Sequence, residues 1–282
     1  MSQHPADHLA GKVVVVTGAA GGFGKLITAK CAARGANVVG IDVDAANLTA
    51  VFDGIQAHGF TGTHQVADVT DLEQMKAAVR HAVERFGAVD VIVNNAGVMP
   101  LAYFADHELA WQKWHRAIDI NIKGVLNGIT AVYDQMIKQG RGQVVNISSI
   151  YGNAGIEGAG VYSATKAAVT ALSDSLRVEA KGKIKVTTVK PTGVLGTNLG
   201  SWIVNTKAVR GIVGRWADGY TEAVRAFFDG TLPAERTDAD SVKYWAITPD
   251  DLADAVVHVI DQPWGISISD LTVRASAEDY IY

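Results

Sequence analysis

The sequence predicts an α/β domain in which a doubly wound, mainly parallel, seven-stranded sheet carries helices on both faces. Three observations support this. Seven short apolar runs punctuate the 282 residues, at 12–17, 37–42, 62–67, 89–93, 142–148, 184–190 and 268–274. They are continuous rather than alternating, as strands become when helices bury both their faces. Between them lie stretches with helical patterning, at 22–34, 45–58, 71–86, 106–139 (with room for a break), 160–180, 199–228 and 249–261. Strand and helix alternate without a linker, which favours one domain over two. Right-handed crossovers would place ligands at the C-terminal ends of the strands. The stretch 230–248, with Pro233 and an isolated Tyr244-Trp245, reads as an irregular loop.

The first strand, Lys12 to Thr17, runs directly into Gly18-Ala-Ala-Gly21-Gly22-Phe23-Gly24. A helix follows to Arg34, with Gly35 as its stop. Strand, glycine turn and helix make a Rossmann-type dinucleotide site. The glycines let the backbone approach a pyrophosphate, and the helix N-terminus offers free N–H groups and partial positive charge. The second strand ends at Asp42, about 20 residues further on, where a carboxylate binds the ribose hydroxyls of NAD. It would repel the 2′-phosphate of NADP, and no Arg or Lys lies within the turn or just after Asp42 to receive that phosphate. Asp44 is placed to cap the next helix.

Tyr162-Ser-Ala-Thr-Lys166 puts a phenol and an ammonium on one face of an Ala-rich helix. A cation near a phenol favours the phenolate, so the expectation is a Tyr162 pKa below the usual value of about 10. Such a group can exchange a proton with an alcohol or carbonyl near neutral pH.

With 25 basic and 29 acidic residues the net charge is −4, so no basic field calls for nucleic acid or an anionic membrane. No run is long enough to span a bilayer, and Met1 to Gly11 lacks the apolar core of a signal peptide, so a cytoplasmic location is the default expectation. The single Cys31 cannot form an internal disulfide and is expected in the core. Of the eight histidines, no two have ligand-like spacing backed by a third residue, so no metal is expected.

In order and spacing, Thr17-Gly18-x-x-x-Gly22-x-Gly24, Asp68-Val69, Asn94-Asn95-Ala96-Gly97, Asn121, Ser149 and Tyr162-x-x-x-Lys166 resemble the short-chain dehydrogenase/reductase family. Thr17 to Gly24 also fits the turn of the family's extended branch. The short chain, the form of Asn94 to Gly97 and the Ser149-to-Tyr162 spacing point to the compact branch. The resemblance implies an NAD-dependent interconversion of a secondary alcohol and a ketone. Tyr162 would be the general acid/base, Lys166 would bind the nicotinamide ribose, and Ser149 would hold the substrate oxygen. Asn121 would open a helix turn, where a water links the lysine to solvent. Main-chain amides from Ala19 to Phe23 would carry the pyrophosphate, with Gly18, Gly22, Phe23 and Gly24 shaping the turn. Asp68 and Val69 would flank the adenine, and Asn95, Ala96 and Gly97 would pack along its ribose. After the sixth strand, Pro191-Thr192-Gly193-Val194 departs from the family's P-G-x-V-x-T by a Thr in place of Gly and one extra residue before Thr197. Pro191 and Val194 therefore carry over better than Thr197.

A substrate lid is expected at 196–231, with Trp202, Trp216, Tyr220, Phe227 and Phe228 divided between core and cleft. Met99, Tyr151 and Ile156 occupy positions near the site in relatives. A bulky apolar alcohol or ketone of terpenoid, steroid or aryl type is the expected substrate. Trp111 and Trp114 fall on the helix through which relatives pair, so the resemblance implies a homo-oligomer, a tetramer or dimer. Two other readings stay open: a 3-oxoacyl thioester reductase, and a non-catalytic NAD-sensing protein on the same fold.

Overall fold

The structure, a computed structural model, describes residues 7–281. The expectation about Met1 to Gly11 falls partly on residues 1–6, which lie outside the described residues. The elements run β1 (Val13–Thr17), α1 (Gly22–Ala33), β2 (Asn37–Asp42), α2 (Ala45–Ala57), β3 (Gly62–Val66), α3 (Leu72–Phe86), β4 (Val91–Asn94), α4 (His107–Ile118), α5 (Gly124–Gln139), β5 (Gly142–Ile147), α6 (Gly160–Glu179) and β6 (Ile184–Pro191). Then come α7 (Val209–Val213), α8 (Ala217–Phe228), α9 (Ala234–Thr237), α10 (Pro249–Ile260) and β7 (Asp270–Val273). The sheet order is β3-β2-β1-β4-β5-β6-β7, with every pair parallel. The order reverses between β1 and β4, and the crevice above that switch point is where such sheets bind ligands.

Period-two side-chain alternation sorts the strands between two cores. Val14, Val16, Val91 and Val93 face one way, against Ile27 of α1, Leu48 of α2 and Val256 of α10. Val13, Val15, Ile92 and Val144 face the other, against Met75 of α3, Val125 of α5 and Val169 of α6. Every residue of β1 is buried, which explains its unbroken valines. Cys31 lies in the first of these cores, where burial pushes its thiol up to about 12. Asp44 caps α2 by accepting from the Asn47 amide. Thr248 and Asp251 form a reciprocal capping box on α10, with Pro249 at its first position. Among the described residues no helix is long and apolar enough to cross a membrane.

Two expectations need correction. The helix predicted over 199–228 is a chain of short pieces: 3₁₀ turns at Asn198–Trp202 and Thr206–Ala208, then α7, a 3₁₀ turn at Gly214–Trp216, and α8. Gly214, at φ 55°, breaks the helical path, and Gly211 abuts the Glu157 carbonyl so closely that a Cβ would lie 1.7 Å from it. The stretch 230–248 is not all loop, since it holds α9 and buries Trp245, whose Nε1 donates to Asp279 Oδ2 at 2.7 Å. The break allowed within 106–139 falls at Asp119–Lys123, a π-helical turn between α4 and α5.

Candidate active site

The strand ends converge on two adjoining cavities. The smaller, about 240 Å³, follows the glycine turn. It is lined by Gly18, Ala20 to Gly24, Asp42, Asp44, Asn47, Asn95 to Gly97, Thr197 to Leu199 and Trp202. The larger, about 310 Å³, is lined by Ser149, Tyr162, Lys166, Pro191 to Thr197, Leu199, Gly200 and a wall of apolar side chains. Phe23, Asn95, Gly97 and Thr197 line both.

In the glycine turn, Gly18 and Gly22 have φ of 68° and 51°, a region that side chains avoid. A Cβ on Gly24 would fall 2.1 Å from the Gly18 carbonyl oxygen, so α1 seats only a glycine there. A Cβ on Gly22 would meet nothing within 4 Å, which leaves open space before the helix N-terminus. No side chain caps α1, so its first amides remain free. Asp42 accepts from the Ala20 amide through Oδ2 and from the Asp44 amide through Oδ1, each at 3.0 Å. A carboxylate has about four lone-pair sites, so acceptor capacity remains toward the groove. Asn95 donates from Nδ2 to the Thr17 carbonyl at 2.8 Å, while its buried Oδ1 has no partner among the described residues. An orphaned acceptor, free helix amides and a cradle without side chains fit a dinucleotide.

Ser149 follows β5 in extended backbone and accepts from the Tyr151 amide at 3.2 Å. Its neighbour Ser148 donates to the Lys166 carbonyl at 2.9 Å, tying α6 to the end of β5. Tyr162 and Lys166 are 5% and 6% exposed, deep enough for desolvation to rule their chemistry. Lys166 Nζ donates to the Ile147 carbonyl at 2.8 Å and lies 5.8 Å from the centroid of the Tyr162 ring. Burial pushes the Tyr162 phenol up to about 12, although a hydrogen bond with Ser149 pulls it down. Burial likewise lowers the Lys166 ammonium to about 8. The expected depression of the Tyr162 pKa by Lys166 is therefore absent, because desolvation penalises both charged forms at once.

Asn121 sits at the centre of the π-turn and joins α4–α5 to β4 and α6. Its Oδ1 accepts from the Val98 amide at 2.9 Å. Its Nδ2 donates to the Val98 carbonyl at 2.9 Å and to Thr165 Oγ1 at 3.0 Å. Gly97 is the spacer here: a Cβ on it would lie 3.3 Å from Asn121 Oδ1 and 3.5 Å from Lys166 Nζ.

Not every predicted residue reaches the cavities. Asp68 turns its carboxylate to Arg116, at 2.8 Å, and to Thr70, which hold its pKa below the usual range against the desolvation that raises it. Val69 packs against Gly124, and its carbonyl accepts from Asn127 at 2.8 Å. Neither lines the groove. Pro191 and Val194 line the larger cavity, and Val194 also bridges to Ile247. Thr197, set aside on spacing, lines both cavities. Of the lid aromatics, Tyr220 and Phe228 line the larger cavity and Trp202 the groove. Phe227 packs against Phe228, and Trp216 lies half exposed beneath Arg215. Met99 and Tyr151 line the larger cavity, whereas Ile156 is buried behind it. Trp114 is buried in a small cluster with Ala102 and Ala110, and Trp111 is 49% exposed, which leaves its face open. Sequence reading missed Tyr280, which lines the larger cavity from the segment after β7. No motif surrounds it; only the glycine opposite, Gly193, hints at a close approach.

Residues 12–207 match the family described as short chain dehydrogenase, and the chain belongs to that family of oxidoreductases. It is 33% identical to an uncharacterized oxidoreductase of Listeria monocytogenes, over 95% of this chain and 98% of the relative. It is 39% identical to a 3-alpha-(or 20-beta)-hydroxysteroid dehydrogenase of Mycobacterium tuberculosis, over 70% of this chain and 74% of that one. An alcohol dehydrogenase from the archaeon Thermococcus sibiricus, solved with 5-hydroxy-NADP, shares the fold. Its TM-score is 0.76 at 24% identity, covering 96% of this chain and 99% of that one.

Proposed function

We propose that this oxidoreductase interconverts an apolar secondary alcohol and a ketone, using NAD rather than NADP. The convergence of Ser149, Tyr162 and Lys166 where the apolar cavity meets the nucleotide groove carries this reading. The groove supports NAD, because Asp42 and Asp44 line it and no Lys or Arg does. A 2′-phosphate would meet two carboxylates and no cation.

A bound nicotinamide dinucleotide supplies the hydride donor or acceptor. Gly18 to Gly24, Asp42, Asn95, Gly97 and Lys166 would hold it. In reduction the Tyr162 phenol gives its proton to the carbonyl oxygen as that oxygen gains charge. In oxidation the phenolate takes the alcohol proton. Ser149 Oγ donates a hydrogen bond to the same oxygen and steadies it through the change. Lys166, anchored on the Ile147 carbonyl, would hold the ribose next to the nicotinamide. The dry wall of the cavity excludes water and strengthens these contacts. Acid–base help of this kind is worth roughly 10²–10⁴ in rate.

The test is NADH and NADPH formation in parallel, across terpenoid, steroid, aryl and small aliphatic alcohols. Turnover with NAD and an apolar alcohol is expected. Turnover with NADP alone would overturn the role of Asp42, and a response only to 3-oxoacyl thioesters would overturn the substrate class.

A further inference from the structure

Away from Ser149, Tyr162 and Lys166, the larger cavity carries a second polar spot. Tyr220 of α8 and Tyr280, in the segment after β7, bring their hydroxyls to 2.5 Å from each other. Both phenols line the cavity and both are more than nine-tenths buried. Among the described residues neither hydroxyl has a further hydrogen-bond partner. A phenol carries one O–H donor, so the pair holds two protons and their mutual bond uses one. The other has no acceptor among the described residues. The third phenol of the wall, Tyr151, is different, because its O–H donates to the Ile212 carbonyl at 2.7 Å.

The pair is held in place. A Cβ on Gly193 would fall 1.8 Å from Tyr280 Cζ, so the loop after β6 carries a glycine where this phenol rests. Glu278 accepts from Thr192 and from Arg274, and Asp279 accepts from Trp245 Nε1 at 2.7 Å. Thr192-Gly193, the departure from the family's loop pattern, thus anchors and seats the segment that brings Tyr280 into the cavity. Burial raises the pKa of both phenols, so both keep their protons through the neutral range.

We infer that the Tyr220–Tyr280 pair is a specificity-determining hydrogen-bond donor. The substrate is an apolar molecule with a second oxygen acceptor, besides the oxygen that reacts, to take the free phenolic O–H. This rests on the proposed function for where the reacting oxygen lies. A buried donor without an acceptor is costly, so the cavity discriminates against ligands that lack the second oxygen.

The experiment compares matched ligands on one carbon skeleton, monoketones against diketones and hydroxyketones with increasing separation between the oxygens. Dissociation constants are measured by calorimetry with and without NADH. At one separation or more, the dioxygenated member should bind about tenfold tighter than its partner. The double variant Tyr220→Phe/Tyr280→Phe should lose that preference, its monoketone affinity rising toward that of the dioxygenated ligand because the unpaired donor is gone. Each single variant frees the remaining hydroxyl at a displaced position, so a weakened preference is expected there. Equal affinities in the native protein overturn the inference whatever the variants do, and so does a preference that survives in the double variant. If the double variant does not fold, an undiminished preference in both single variants overturns it too. Turnover is scored separately: its absence with every ketone would sink the redox reading, while the binding preference still decides this one.

Discussion

At the scale of single residues, the proposed reaction depends on the protonation state of Tyr162, and burial favours the protonated form. The phenol is pushed up to about 12, so it carries its proton at neutral pH and is ready to act as an acid. Ketone reduction needs the protonated form, so its rate should hold through neutral pH and fall as pH rises toward the phenol's pKa. Alcohol oxidation needs the phenolate and should climb over the same range. Opposite slopes in the two directions, read from kcat/KM against pH, are the expected result. Tyr162→Phe should lower turnover about 10²–10⁴-fold and leave NADH affinity intact, as fluorescence titration would show. On the proposed NAD reading, Asp42→Ala should raise the use of NADP relative to NAD by about tenfold, because one of the two carboxylates lining the groove is gone. An unchanged ratio of kcat/KM for the two cofactors would count against that assignment.

At the scale of elements, irregular pieces position the chemistry. The π-turn of Asp119–Lys123 brings Asn121 inward, where it makes three hydrogen bonds that join β4's exit to α6. Asn121→Ala should cost about 2–4 kcal/mol in urea unfolding, since it leaves the buried Val98 amide and carbonyl without partners. The loop after β6 depends on Gly193 in the same way. Gly193→Ala should displace Tyr280, because the new Cβ would overlap the phenol ring. A rise in KM with little change in NADH affinity is the expected signature.

At the scale of the whole molecule, the sheet's switch point places the nucleotide groove and the apolar cavity side by side. The segment after β7 then closes the cavity from the far side. Tyr280 is buried there with Tyr220, Trp245 and Ile212. Removing residues 275–282 should raise the substrate KM about tenfold through loss of one aromatic wall, while the groove, to which that segment contributes no residue, keeps its NADH affinity. Loss of both together would show that the segment supports the whole fold rather than the cavity.

What the sequence alone determined is what local chemistry dictates. Both faces of β1 are covered, so its valines run unbroken. Gly18, Gly22 and Gly24 mark a turn that side chains could not follow. Tyr162 and Lys166 share a helix face by spacing alone. What only the tertiary structure decided depends on approaches between distant segments. Asp68 is turned from the groove by Arg116, 48 residues away in the chain. The helix expected over 199–228 breaks at Gly214, and α7 packs so closely on Glu157 that only a glycine fits at Gly211. Tyr162 is pushed up rather than down because desolvation in the folded interior outweighs the nearby ammonium. Tyr280 joins the cavity because Gly193 and Thr192 accept a segment more than 80 residues further along, a contact for which local pattern holds no signal.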